Sequence, residues 1–494
     1  MRRAAKPLYR PSIVCDLLAL PPLKPLRRRY GRLILQIPLV IVVLLLLWDG
    51  FTGPQIAPQN LATVVPWVQY RGVVVLALLL TGNLFCMGCP FTLPRTLAKR
   101  LSLGRWRWPR VLRNKWLASA SLLGLFFAYE YLDLWASPLL TAWLIVAYFV
   151  ASFVLEVAFA GSPFCKYVCP LGTFNFVYST LSPTQIGVKQ PTICATCTGK
   201  ECLNGSYAPQ ISVHIDQITI QNQTRASEVK HGPQGTLGCG LDLFPPQLTS
   251  NLDCTLCLDC VRACPHDNVG LLVRPWGREL GQQGAWHARW DIALLMVIMA
   301  SLGVLNAFAM TPPAYDLLAW LAELGLRSEF LALGVLFVLG GLLLPMGAAL
   351  LAGALSLRLS HAKKRSLRQE VAAFAPSLVP LGFGIWFAHY SFHFLIAPLS
   401  FVPIVQEFLG QRGDWTTWGF TLPDELIGLV QVLALAGGFL WSMSLAQRVA
   451  LRTYGRRATQ ALLPWAALLL LLAFLALQVF SQPMEMRGTE FMLG

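Results

Sequence analysis

Cys254-Thr-Leu-Cys257-Leu-Asp-Cys260-Val-Arg-Ala-Cys264-Pro265 sets three cysteines two residues apart and a fourth three residues on, against a proline. That spacing lets one turn-rich loop wrap an iron–sulfur cubane with three thiolates while the fourth reaches a neighbouring cluster. A zinc site uses the same soft donors but is usually written as paired Cys-x2-Cys knuckles. Upstream stand Cys194-x2-Cys197-x4-Cys202 and, after a long insert, Cys239 in Gly238-Cys239-Gly240. The simplest ligand exchange gives one [4Fe-4S] cluster to Cys194, Cys197, Cys202 and Cys264. The other takes Cys254, Cys257, Cys260 and Cys239. Eight cysteines then serve two clusters with none over.

Outside this segment the chain is apolar. Of 494 residues, 55% are hydrophobic and 13% charged, against about 25% charged in soluble domains. The mean hydropathy is +0.56. Spanning a bilayer takes roughly 20 apolar residues. About nine runs qualify by eye: 33–49, 64–85, 116–135, 138–160, 290–310, 328–352, 371–396, 424–446 and 459–480. The expected fold is a polytopic α-helical membrane protein with an inserted, ferredoxin-like two-cluster domain. Its parts are a basic tail (1–32), a four-span region (33–182), the two-cluster domain (183–289), a five-span region (290–480) and a short tail (481–494). The net charge of +15 is spread in blocks between apolar runs, which argues against a nucleic-acid partner. Those blocks fall in 1–32, 86–115, 356–368 and 447–457, while the opposite connections hold only Arg71, Arg327, Arg412 and Arg487. The positive-inside rule then puts the amino terminus and the cysteine-rich segment in the cytoplasm and the carboxyl terminus outside. A reducing cytosol disfavours structural disulfides among the thirteen cysteines and favours metal ligation.

An internal repeat marks two hairpin ends. One reads Gly82-Asn-Leu-Phe85-Cys86-Met-Gly-Cys89-Pro90, the other Gly161-Ser-Pro-Phe164-Cys165-Lys-Tyr-Val-Cys169-Pro170. The repeat sets Cys86, Cys89, Cys165 and Cys169 at one membrane face. They are either buried small residues beside proline turns or a third redox or metal site. Farther along, His389 and His393 share a helix face at i and i+4. With Met484 and Met486 they form a candidate outer site for copper, with haem ligation or quinol handling as alternatives. Arg71, Glu130, Asp133 and Glu156 are further polar residues within or beside spans. The insert 203–238 alternates apolar and polar residues like a strand pair. No Gly-x-Gly-x-x-Gly or P-loop motif is present.

Two Cys-Pro motifs on membrane hairpins followed by a two-cluster segment resemble the membrane polyferredoxins of the NapH, NosR and CcoG type, over roughly residues 33–310. The resemblance implies a prokaryotic cytoplasmic membrane, quinol-linked electron delivery in some relatives and cupric reduction in others. The expected function is therefore electron transfer between the quinone pool and a protein redox partner or multi-subunit complex. A metal-reducing assembly factor and a membrane redox sensor are the alternatives.

Overall fold

The computed structural model describes residues 15–28, 30–93, 106–159, 161–205, 211–214, 217–220, 236–248, 250–281 and 289–483, with backbone alone at 211–214 and 217–220. Helices dominate: α1 (Leu33–Thr52), α2 (Leu61–Thr81), α3 (Trp116–Tyr131), α4 (Pro138–Ala158), α5 (Trp290–Phe308), α6 (Glu329–Leu359), α7 (Leu367–Ile396), α8 (Asp424–Tyr454) and α9 (Ala458–Phe480). Their starts follow from local chemistry. Asn60 accepts the amide of Ala62 ahead of α2, and Ser137 with Pro138 opens α4. Ser366 and Gln369 form a capping box for α7. Each satisfies amides that a helix start leaves without partners.

Among the described residues, seven helical stretches are long and apolar enough to cross a membrane. The count differs from nine for two physical reasons. Runs 424–446 and 459–480 fall in one stretch, Asp424–Phe480, because α8 passes into α9 through a short turn at Gly455–Arg457. Gly455 has φ +54, which favours glycine, and α8 and α9 then pack on each other. Run 116–135 yields α3, a helix of 16 residues. That is about 24 Å of rise, less than the roughly 30 Å of a hydrocarbon core.

The helical core is centred on α5 and α7, the most buried of these stretches. Helix α7 packs against α2, α5 and α8. Close approach to α8 depends on small residues, the usual means by which apolar helices associate without a hydrophobic driving force. A Cβ built on Gly384 would lie 2.5 Å from the Ala434 carbonyl, and one on Gly438 would lie 2.7 Å from that of Pro380.

A smaller unit is inserted between α4 and α5. Strand β1 (Thr184–Val188) pairs antiparallel with β4 (Val269–Val273), and β2 (Ile211–His214) pairs with β3 (Gln217–Ile220), the hairpin that the insert's alternation predicted. The end of the basic tail belongs to this unit. Asp16 bridges to Leu272, Leu18 is fully buried, and Arg262 donates to the Leu26 carbonyl. The unit is tied to the helices by a buried polar knot. Arg274 pairs with Glu279 at 2.9 Å and donates to Ser182, while Asn251 donates to Thr184 at 2.7 Å and to Ser179.

The α7–α8 contact makes a direct prediction. Gly384→Ala should destabilise by about 1–3 kcal/mol through overpacking, lowering the melting temperature in detergent. Gly428→Ala on α8, where a Cβ meets nothing within 4 Å, should not. Equal melting of the two variants would contradict the packing described.

Candidate metal centres

The loops after β1 and before β4 bring the two ends of the cysteine-rich segment together. Asn268 is the staple. Its amide side chain donates to the Gln190 carbonyl at 2.7 Å and to Cys194 Sγ at 3.2 Å, and its backbone N–H reaches Cys264 Sγ at 3.4 Å. Cys194, Cys197, Cys202 and Cys264 consequently line one small cavity, with Lys200, Glu201 and His266 at its wall. Burial, followed by the neighbouring Cys264 and Cys194, pushes the Cys202 thiol up to about 12. A metal held there would have to displace that thiol's proton.

The second set gathers around the run at 254–260. Burial raises the thiols of Cys254 and Cys260, and Cys257 and Cys239 lie near enough to raise both further. Cys239 Sγ accepts the Leu243 amide at 3.4 Å, and the Cys239 amide donates to the Cys202 carbonyl at 3.2 Å, which joins the two sets. The loop curls through left-handed backbone at Asp253 (φ 72), Leu256 (φ 51) and Leu258 (φ 62). Such conformations cost of order 1–3 kcal/mol each and persist where the surroundings impose them. Here Leu256 and Leu258 are fully buried, so the apolar side chains hold the curl.

The Cys-Pro repeats converge as well. The first copy has two residues between its cysteines, the second three. The first lies on an α-helical turn, Leu84–Gly88, and the second on a π-helical turn, Phe164–Val168. A wider π turn takes up the extra residue. The Cys-Pro steps then match: Cys89 has φ −56, ψ 123 and Cys169 has φ −62, ψ 114, each opening a new helical segment at its proline. All four cysteines line a single chamber with Phe85, Phe91, Phe164 and Phe176. Asn175 donates to Cys86 Sγ at 3.4 Å and the Gly172 amide to Cys169 Sγ at 3.2 Å. Just ahead of α1, Arg32 donates to the Met87 carbonyl at 2.9 Å, and from α1 Gln36 donates to that of Cys89 at 3.1 Å.

Lys115 joins these parts. Its ammonium, 1% exposed, pairs with Asp253 and donates to the Lys166 carbonyl at 2.6 Å, while its amide donates to Asp291 at 2.9 Å. Burial pushes the Asp253 carboxyl up, but Lys115 and Lys166 hold it below the usual carboxylate range.

A feature that sequence reasoning missed lies between α1, α2, α3 and α4. It is a cavity of about 230 Å³, walled by apolar and aromatic side chains, with Arg71, Tyr129, Tyr148, Asn175 and Tyr390 among its lining. The Arg71 guanidinium stands over the rings of Trp67, Tyr129 and Tyr390 at 4.4–5.1 Å. Arg71 Nη1 and Tyr148 Oη are buried without a hydrogen-bond partner. A π-helical stretch, Val65–Tyr70, sets the entry to Arg71. The cavity shares Phe85, Phe91 and Leu171 with the four-thiol chamber.

His389 and His393 are both buried, with their Nε2 atoms 2.9 Å apart. Met484 and Met486, proposed to join them, lie outside the described residues. Glu130 accepts from Asn306 at 3.2 Å, and Glu156 accepts from Ser162 at 3.2 Å. Among the described residues, no group of three or more His, Cys, Asp or Glu is arranged to hold a metal ion. The chain matches no protein-family model, no curated protein and no solved structure.

Removing one partner of a buried pair costs about 3–5 kcal/mol, whereas removing both is far milder. Lys115→Met should therefore lower the melting temperature markedly, and adding Asp253→Asn should restore part of the loss. Unchanged melting in the single variant would contradict the role given to this pair.

Proposed function

We propose that the chain is a membrane iron–sulfur protein that exchanges electrons between a quinol or quinone in the Arg71–Tyr148 cavity and a redox partner. The observation that carries this reading is the position of the cavity. Its inner end is built from Phe85, Pro90, Phe91, Pro170 and Leu171, the residues that flank the Cys-Pro steps. Beyond those steps lie the two four-cysteine sets. When bound, [4Fe-4S] clusters on those eight cysteines supply one-electron transfer at potentials set by their surroundings.

The remaining roles fall to the chain's own side chains. A quinone head is flat, aromatic and bounded by two oxygens. The walls at Trp67, Tyr129 and Tyr390 offer ring faces, and the unpartnered Arg71 Nη1 and Tyr148 Oη offer donors. Mostly apolar pockets with few polar groups are the usual form of small-molecule sites. Backbone amides and Asn268 direct N–H groups at the cysteine sulfurs, an arrangement that tunes cluster potential.

In this reading the chain crosses a prokaryotic cytoplasmic membrane nine times. The seven qualifying stretches supply eight crossings, because the last folds back on itself, and α3 supplies the ninth. The basic blocks place the cysteine unit in the cytoplasm and the carboxyl terminus outside. A soluble or membrane-bound protein supplies or accepts the electrons at the cysteine unit.

Arg71→Met tests the cavity. In dithionite-reduced protein mixed with a short-chain quinone analogue, the variant should be reoxidised at least about tenfold more slowly, the loss of roughly 1.4 kcal/mol of transition-state binding. Its dithionite reduction and iron content should be unchanged. Equal reoxidation rates in variant and wild type would sink the assignment.

A second reading, reduction of cupric ion, is favoured by the buried His389–His393 pair, whose ring nitrogens suit copper. Under it, a His389→Ala/His393→Ala variant should lose copper binding and keep its cluster spectrum. Retained copper binding would remove the basis for that reading.

A further inference from the structure

The eight cysteines assigned to two clusters leave four buried or half-buried thiols in the Cys-Pro chamber without a role. We infer that Cys86, Cys89, Cys165 and Cys169 together hold a third iron–sulfur centre, placed between the cavity and the cysteine unit. The inference deepens the reading above and rests on its placement of the cavity and the cysteine unit.

Four observations converge on it. All four cysteines are free thiols facing one chamber. Its other walls are the four phenylalanines, Thr92, Leu171, Gly172 and Thr255, so the donor set is thiolate alone, the soft set that iron–sulfur clusters take. The sulfurs are already supplied with donors, Asn175 to Cys86 and the Gly172 amide to Cys169. Arg32, clamped to Met87 and Thr92, sets a cation beside the chamber, where the thiolates of a bound cluster concentrate negative charge.

Position supplies the role. On one side the chamber shares Phe85, Phe91 and Leu171 with the cavity; on the other it includes Thr255, and Asn83 donates to the Cys254 carbonyl at 3.0 Å. A centre here would take a quinol's two electrons one at a time and pass each to the cysteine unit before accepting the next, with no bond made or broken at the cysteines. A quinol that gives up two electrons releases two protons from its own hydroxyls.

The test is elemental analysis of anaerobically purified full-length protein, wild type against Cys86→Ser/Cys169→Ser, with acid-labile sulfide measured in parallel. The proposal expects about 10–12 irons per wild-type chain and a loss of about 2–4 irons with matching sulfide in the variant, the content of a [2Fe–2S] or [4Fe–4S] centre. The reduced EPR signals of the other two clusters should survive, which also shows that the variant is folded. A wild type with about eight irons overturns the proposal whether or not the variant folds. So does a variant that loses zinc rather than iron. A wild type with only about 2–4 irons, all lost in the variant, keeps this site and overturns the two-cluster reading of the other eight cysteines.

Discussion

The buried ammonium of Lys115 is the constraint on which the rest of the arrangement depends. It stands at the start of α3, pairs with Asp253 beside the first cysteine of the 254–260 run, and donates to the Lys166 carbonyl inside the second Cys-Pro motif. Its backbone amide is capped by Asp291, at the start of α5. One residue thus fixes two helices, a membrane-face motif and a cysteine loop against one another. A charge in such a place is costly unless it is paired and hydrogen-bonded. That cost makes the geometry specific, because few other packings of these elements would satisfy the ammonium.

Around that anchor the cavity, the Cys-Pro chamber and the cysteine sets adjoin one another. The aromatic cavity shares Phe85, Phe91 and Leu171 with the four-thiol chamber, the chamber includes Thr255 of the 254–260 loop, and the two cysteine sets are joined by the hydrogen bond from Cys239 to Cys202. Each step is short because residues are shared between neighbouring sites. The apolar helices contribute by excluding water, and glycine contacts such as Gly384 on Ala434 keep α7 close to α8. The left-handed turns at Asp253, Leu256 and Leu258 are local strain held by burial, in the loop that carries Cys254, Cys257 and Cys260.

What could be read from the sequence was what is local. Cysteine spacings, apolar runs and the alternating insert depend on neighbours a few residues apart, and the cysteine groupings, the long helices and the β2–β3 hairpin follow from them. What could not be read depends on distant residues meeting. The cavity is walled by rows at i, i+3, i+4 and i+7 on α1, α3 and α4, with residues of α2, both Cys-Pro motifs and Tyr390 of α7; each row alone reads as an ordinary packing face, and only their meeting makes the cavity. Its aromatics look like interfacial belts in one dimension. Asp16 and Leu18 carry no pattern that would tell a free tail from a strand-edge partner of Leu272. The unequal spacing of the two Cys-Pro copies was visible, but its resolution by an α turn in one and a π turn in the other was not, since periodicity does not distinguish them. Nine apolar runs and seven qualifying stretches differ on length alone: α3 is short, and a three-residue turn is too brief to separate α8 from α9 as distinct stretches.

The central claim is that the eight ferredoxin-spaced cysteines hold redox-active clusters in a membrane-embedded chain. EPR of the anaerobically purified protein after dithionite reduction tests it most directly. The account predicts the spin-coupled signals of two reduced [4Fe-4S] clusters, lost on replacing Cys260 or Cys194. An intact preparation with no such signal, holding zinc in place of iron, would contradict it.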